Sequence, residues 1–384
     1  MDLSKIREDI DRIDGELVPL LCERLDCSRE VAAYKQQHGI PVLNEQRERE
    51  VVQAVAKKSG ELDPDDYGYG RANALVYSTV MEVSRALQHR MLGAGSDLRD
   101  RLANAPRSLI AAEKARIVCQ GTQGAFSHEA ASRLFAGTMP QFVTTWEEVI
   151  AAVRDGEADY GLLPVENSST GSVHEVFDLI MANRCHIAAA VDVPVRQCLL
   201  GVKGARAEGV KTVVSHPQAL SQCREFIRRH GFAEQSYGNT ATAAAMVAAQ
   251  GDASLAAIGS VQAAQAFGLT VLADGIQTFE GNTTRFVAIS RELCIPQDAD
   301  RITLLFCLPH VTGSLYHILA RFALEGLNLT KLESRPLRNG SFEYAFYLDF
   351  EGNLQNENTV ALLCALSEEL PQFTLLGNYR EQRE

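Results

Sequence analysis

Ser4–Lys35 reads SKIREDIDRIDGELVPLLCERLDCSREVAAYK, and the spacing of its apolar residues decides what the first part of the chain becomes. Ile6, Ile10, Ile13, Leu17 and Leu20 follow one another in alternating steps of four and three, the seam of a helix that needs a partner along its length. Ser4 is placed to cap its start. Pro19 removes a backbone bond at about 3 kcal/mol in an ideal helix, so a kink is expected there. Carried past Leu20, the same steps land on Arg24, Cys27, Val31 and Tyr34, which puts a guanidinium where the pattern wants leucine. Lys35 lies almost three whole turns beyond Arg24, so both cations project from one face toward the core. Two inward cations are costly unless something negative sits between them.

Outward from this helix, nearly everything from Leu3 to about Arg90 reads as helical. Turn signals stand only at His38-Gly39-Ile40-Pro41 and from Ser59-Gly60 through Tyr69-Gly70, so three helices are expected. Glu48 shares a stripe with Val52 and Val55, and Ser84 and Gln88 extend the stripe of Tyr77 and Met81. Any one of these polar groups could be a rim residue reaching to water. Together, in an all-α domain over residues 1–92, they are harder to dismiss as rim residues.

Residues 93–114 are charged and Ala-rich and read as a helical or extended connector. From Arg116 short apolar strands alternate with helices: Ile117 to Cys119, Tyr160 to Val165, Ile187 to Val193, Val210 to Ser215, Ala256 to Gly259 and Phe286 to Ser290. That alternation predicts an α/β domain over 115–292, mostly parallel, with ligand sites at strand carboxyl ends. Over 299–380 the order is strand 302–308, helix 314–325, strand 329–334, strand from Phe342 to Phe350, helix 359–370 and strand 373–376. This is the βαββαβ order of an α+β ferredoxin-like unit.

The chain of 384 residues carries a formal charge of -12, which argues against a nucleic-acid or anionic-membrane surface. Anionic ligands must then be met by local clusters of Arg and Lys. The nine cysteines include no Cys-x-x-Cys and no zinc-finger spacing, so reduced core thiols are expected and neither disulfides nor metal. No long apolar run suggests a leader or a membrane span, which makes the cytoplasm the natural compartment.

Four strand ends of the α/β region carry polar loops. Gln120-Gly121-Thr122-Gln123-Gly124-Ala125-Phe126-Ser127 could cradle an anion or merely turn tightly. Leu163-Pro164-Val165-Glu166-Asn167-Ser168-Ser169-Thr170-Gly171-Ser172 is a dense polar cluster, more like a pocket than a connector. Ser215-His216-Pro217-Gln218 and Asn282-Thr283-Thr284-Arg285-Phe286 complete the set, with His216 either a ligand contact or a helix start. The four can converge if the sheets form two lobes around a cleft. No Gly-x-Ser-x-Gly elbow and no histidines at metal-ligand spacing are present, so neither a nucleophilic mechanism nor a cofactor is expected.

The spacing of Arg7, Arg24, Lys35, Arg47, Glu48, Ser84 and Gln88 resembles the all-helical chorismate mutase family. The resemblance implies an intertwined dimer in which Arg24 and a second chain's Arg7 clamp the two carboxylates of chorismate. Lys35 and Gln88 would donate to the ether oxygen, Glu48 would accept the ring hydroxyl, and Arg47 and Ser84 would complete the carboxylate contacts. Asn44 stands in the substrate shell where the family pattern has Asp, or it caps the next helix.

The runs Gly121 to Ser127, Pro164 to Ser172, His216 to Leu220 and Thr284-Arg285-Phe286 resemble prephenate dehydratase. That resemblance implies a two-lobed, periplasmic-binding-protein-like fold with Thr284 catalytic and Arg285 the nearby cation. Asn167, Ser168, Ser169, Thr170, His216, Thr283 and Phe286 would surround prephenate. Gly313-Ser314-Leu315-Tyr316-His317 and Glu333-Ser334-Arg335-Pro336 resemble the two phenylalanine motifs of the ACT domain. There Gly313, Ser314, Leu315, Asn328, Glu333, Ser334 and Arg335 would bind the effector L-phenylalanine.

The whole then resembles a bifunctional enzyme of phenylalanine biosynthesis, a homo-oligomer of at least two chains, with no nucleic-acid or membrane partner. The rival readings are a dehydratase for prephenate or arogenate whose helical part only dimerises, and a non-enzymatic amino-acid sensor.

Overall fold

The computed structural model describes residues 2–336 and 344–382. They fold into two compact units, Met1–Asn104 with Ile302–Leu375 and Ala105–Arg301 with Leu376–Glu384.

The first unit opens with helices α1 (Leu3–His38), α2 (Glu45–Glu61), α3 (Tyr69–Leu92) and α4 (Ser96–Asn104). α1 runs unbroken through Pro19, and its cap is Asp2, whose carboxylate accepts from the Ser4 amide, rather than Ser4 itself. Gly39 ends it in the left-handed region at φ 63°, a conformation that favours glycine. Only Ser28 and Ala32 of α1 are buried. The apolar seam stands open instead, with Ile10, Ile13 and Leu17 exposed by 50%, 51% and 48%. The stretch read as a connector begins with α4, which buries Leu98 and Leu102.

The second unit begins with β1 (Ile117–Gln120), α5 (Phe126–Leu134), β2 (Gln141–Val143), α6 (Trp146–Arg154), β3 (Tyr160–Asn167), β4 (Gly171–Ser172), α7 (His174–Ala182) and β5 (His186–Pro194). The chain then builds a second lobe from β6 (Cys198–Gly201), β7 (Thr212–Ser215), α8 (Pro217–Gln222), α9 (Arg224–His230), β8 (Ala233–Ser236), α10 (Thr240–Gln250), β9 (Leu255–Gly259), α11 (Val261–Phe267) and β10 (Thr270–Ala273). It returns to the first lobe as β11 (Thr283–Ser290).

The second lobe's sheet has the order β10-β6-β9-β7-β8, and the first lobe's follows β5-β11-β3-β1-β2. The sheets are mixed, not mostly parallel: β11 lies antiparallel to both β3 and β5, and β6 antiparallel to β9 and β10. The returning β11 enters the middle of the first sheet against its neighbours, which strand order alone could not reveal. Each sheet is covered on both faces. Leu200, Val214 and Ala257 pack on one side of the second, Leu199, Val213 and Ile258 on the other. At Gly124 (φ 84°) the lobes touch: a Cβ there would sit 2.6 Å from the Ala263 Cα, and Ser260 Oγ donates to the Gly124 carbonyl at 2.8 Å.

The last six elements are β12 (Arg301–Leu308), α12 (Ser314–Leu324), β13 (Leu329–Pro336), β14 (Tyr344–Glu351), α13 (Glu357–Glu369) and β15 (Thr374–Gln382), in the βαββαβ order expected. Phe342, where β14 was to start, lies outside the described residues. β15 runs well past residue 376, where the sequence reading stopped it, and Arg380, Glu381 and Gln382 pair in parallel with Ala189, Ala190 and Val191 of β5. No helix among the described residues is long and apolar enough to cross a membrane.

Candidate active sites

A cavity of about 560 Å³ lies between the lobes of the second unit, lined among others by Gly121, Ser127, Asn167, His216, Asn239 and Thr284. All four loops singled out in the sequence reach it. A fifth contributor, Asn239-Thr240, was missed. The signal was an Asn before an Ala-rich helical run, and the structure shows Asn239 capping α10 in a reciprocal box with Thr242.

The geometry at Thr284 follows from the sheet register. Thr284 on β11 faces Asn167 on β3, and Asn167 Nδ2 donates to Thr284 Oγ1 at 2.9 Å and to Asn282 Oδ1 at 2.9 Å. Asn167 Oδ1 accepts from Ser169 N (3.0 Å), Ser169 Oγ (2.6 Å) and Thr170 N (3.2 Å). With donors crowding one end of the amide, its NH₂ must face Thr284. Thr284 therefore accepts from Asn167 and keeps its own proton to give.

Ser168, Ser169, Thr170 and Thr283 do not line the cavity. Ser168 Oγ takes the Thr283 amide at 2.9 Å, and Ser169 and Thr170 brace Asn167. Phe286 does line it. His216 caps α8, its Nδ1 accepting from Gln218 N at 3.2 Å, which leaves Nε2 to carry the proton of the neutral ring.

Arg285 corrects the reading of it as a substrate cation. Its Nε lies 2.9 Å from Asp192, its Nη2 2.7 Å from Glu381 and its Nη1 3.8 Å from Glu166, so three carboxylates already hold it. The expectation that clusters of Arg and Lys meet every anion also fails here, because no residue lining the cavity is Arg or Lys. The cavity is lined instead by the starts of α5 and α10, at Phe126, Ser127, Asn239 and Thr240, and a helix start presents backbone N–H groups.

In the first unit Arg24 Nη1 donates to Ser84 Oγ at 3.0 Å, Ser28 Oγ to Ser84 Oγ at 3.1 Å, and the guanidinium lies 5.9 Å from the Tyr77 ring centroid. Lys35 Nζ donates to the Val42 carbonyl, and burial lowers its pKa against the opposing pull of Glu48. Burial raises the pKa of Glu48, opposed first by Arg85, whose Nε lies 3.5 Å away. Gln88 is buried, and its Oε1 has no hydrogen-bond partner.

Three sequence candidates point elsewhere. Arg47 is exposed with its Nη1 3.6 Å from Glu50, and Asn44 caps α2 by accepting from Arg47 N at 3.0 Å. Arg7 lies exposed on α1, and the rise of a helix sets it about 25 Å from Arg24. One ligand cannot touch both within one chain.

Arg85 was missed altogether. Nothing in the sequence reading names it, yet it is buried among Glu48, Glu82 and Glu369. The sequence did hold a signal in Glu82-x-x-Arg85, a charged pair interleaved with Ser84 and Gln88.

At the C-terminal motifs, Gly313 (φ 88°) caps α12 and Ser314 Oγ donates to the Pro309 carbonyl at 2.8 Å, with Leu315 half-buried behind it. Asn328 Nδ2 donates to Glu351 at 3.0 Å, and Glu333 pairs with Lys331 at 3.7 Å. Glu333, Ser334 and Arg335 lie on β13, which pairs antiparallel with β14.

The Prephenate dehydratase family model matches residues 117–293, and the Chorismate mutase type II model matches residues 6–89. The chain is 40% identical over 283 residues to an arogenate dehydratase/prephenate dehydratase of Arabidopsis thaliana, covering 69% of this chain and 72% of that one. It is 30% identical over 380 residues to the bifunctional chorismate mutase/prephenate dehydratase of Aquifex aeolicus, covering 98% of each. A solved prephenate dehydratase from Arthrobacter aurescens, in complex with L-Phe, superposes with a TM-score of 0.62 at 30% identity, over 69% of this chain and 89% of that one.

Proposed function

The chain belongs to the bifunctional chorismate mutase/prephenate dehydratase family, and from that premise we infer what each site does. It rearranges chorismate to prephenate and converts prephenate to phenylpyruvate, two steps of phenylalanine biosynthesis.

The first reaction has no nucleophile and no proton transfer, so its rate depends on holding the folded conformer and on charge placed at the ether oxygen. Arg24, steadied by Ser84, grips one carboxylate, and Arg7 of a second copy grips the other. Lys35 and Gln88 serve the ether oxygen, each as a donor. Glu48 accepts the ring hydroxyl. The open apolar seam of α1 supports a dimer as the working form.

In the second reaction a ring hydroxyl leaves as water while a carboxylate leaves as carbon dioxide. Thr284 gives the departing oxygen its proton, and Asn167 polarises the Thr284 hydroxyl so that a weak acid can do it. Helix N-termini and His216 hold the substrate's charge. Asn167 donating to Thr284 is the observation that carries this reading.

The βαββαβ portion acts as an ACT module that binds L-phenylalanine through Gly313–Leu315, Asn328 and Glu333–Arg335. The L-Phe complex of the Arthrobacter relative supports this.

The test is to supply the purified protein with chorismate, prephenate and arogenate in turn. Chorismate is expected to disappear and prephenate to yield phenylpyruvate. Product from arogenate alone would overturn the prephenate assignment.

A further inference from the structure

We propose that Arg85 is a positioning residue of the mutase site, holding Glu48 from behind while Glu82 and Glu369 hold Arg85. The inference rests on the reading of Glu48 as acceptor of the ring hydroxyl.

Arg85 is 9% exposed, and each nitrogen of its fork meets a different carboxylate. Nη2 donates to Glu82, while Nη1 faces Glu369 Oε2 at 3.4 Å and Nε faces Glu48 Oε1 at 3.5 Å as ion pairs, the Nε contact without hydrogen-bond geometry. A plane pinned at two corners can present its third only one way, which a lysine ammonium cannot imitate. The far anchor is fixed in turn: Glu369 on α13 lies 2.6 Å from His89 Nε2 and 2.7 Å from Arg321 Nη1 of α12.

The electrostatics point the same way. Burial raises the pKa of Glu48, Arg85 opposes it most, Glu82 of α3 and Glu369 of α13 add to the rise, and Lys35 of α1 opposes it; His317 of α12 also faces Glu48. Without the guanidinium, carboxylates face one another across a buried gap. Glu48 then takes up a proton more readily and loses its fixed direction.

Arg85→Met and Arg85→Lys in the full chain test this, with Glu48→Gln as the reference. The readouts are mutase kcat and KM across pH and, as a check on folding, phenylpyruvate formation from added prephenate. Arg85→Met is expected to lower mutase kcat/KM about 10- to 100-fold, mostly in kcat. Its acid limb is expected to move to higher pH, while dehydratase turnover stays within about twofold. Arg85→Lys restores the limb more than the rate, because it returns the charge without the fork.

An Arg85→Met enzyme with normal mutase kinetics overturns the proposal, and so does a slow one whose acid limb has not moved. If Glu48→Gln is itself fully active, the reading of Glu48 falls and takes the inference with it. If Glu48→Gln is slow while Arg85→Met is normal, only the inference falls.

Discussion

Asn167 Nδ2 and Thr284 Oγ1 lie 2.9 Å apart across neighbouring strands, with the amide as donor. The direction of that bond leaves the threonine proton available. Thr284→Ala is therefore expected to remove dehydratase turnover and leave mutase turnover nearly intact. Asn167→Asp, which replaces a donor with a buried carboxylate, should cost roughly 100-fold in dehydratase kcat. Phenylpyruvate formation checks both, and a Thr284→Ala enzyme of normal rate would refute the assignment.

Glu381 is buried, with Arg285 at 2.7 Å and Arg301 on its other oxygen. Its removal leaves two guanidinium groups short of a partner in a poorly solvated place. Glu381→Ala should destabilise the second unit by about 3 kcal/mol. Urea unfolding followed by loss of dehydratase activity measures this, and an unchanged midpoint counts against the pair.

Glu369 is buried, which alone would raise its pKa, but its bond to His89 and the charges of Arg321 and Arg85 hold it down to about 2. A carboxyl depressed on folding contributes stability that is complete above its unfolded pKa of about 4.5 and is lost as pH falls toward 2. The contribution is about 3 kcal/mol. Glu82, whose pKa burial raises, works in the opposite sense. Glu369→Gln should flatten the acid unfolding of the first unit between pH 4.5 and 2, followed by circular dichroism.

Because Arg7 and Arg24 cannot meet in one chain, Arg7→Ala and Arg24→Ala should each be mutase-deficient alone. Unfolded together and refolded, they should recover about a quarter of normal activity, since half of random dimers are mixed and each has one intact site. No recovery would mean that Arg7 serves its own chain or none.

The helical half was the more readable. Its seam is local, and a step of four and three carries Leu20 to Arg24 without any knowledge of tertiary structure. Arg24 does reach Ser84 and Lys35 does feel Glu48, but from the face that buries Ser28 and Ala32 and not from the seam, which stands open. Arg85 escaped because the carboxylate that anchors it, Glu369, lies hundreds of residues away. Arg285 was misread for the same reason: Asp192 and Glu381 reach it from strands whose neighbours are set by long-range pairing. The dehydratase loops were visible as polar runs at strand ends. Which of their side chains look into the cavity and which brace a neighbour depends on register, which is a property of the folded sheet.

The closing strand gives the chain an awkward anatomy for protein engineers. Stopping translation before Thr374 to escape feedback would strip the cover from β5, expose a raw sheet edge, and take Glu381 from Arg285, the residue beside Thr284. Single exchanges at Ser314 or Glu333 are the way to test the proposed phenylalanine site, because they leave that strand in place.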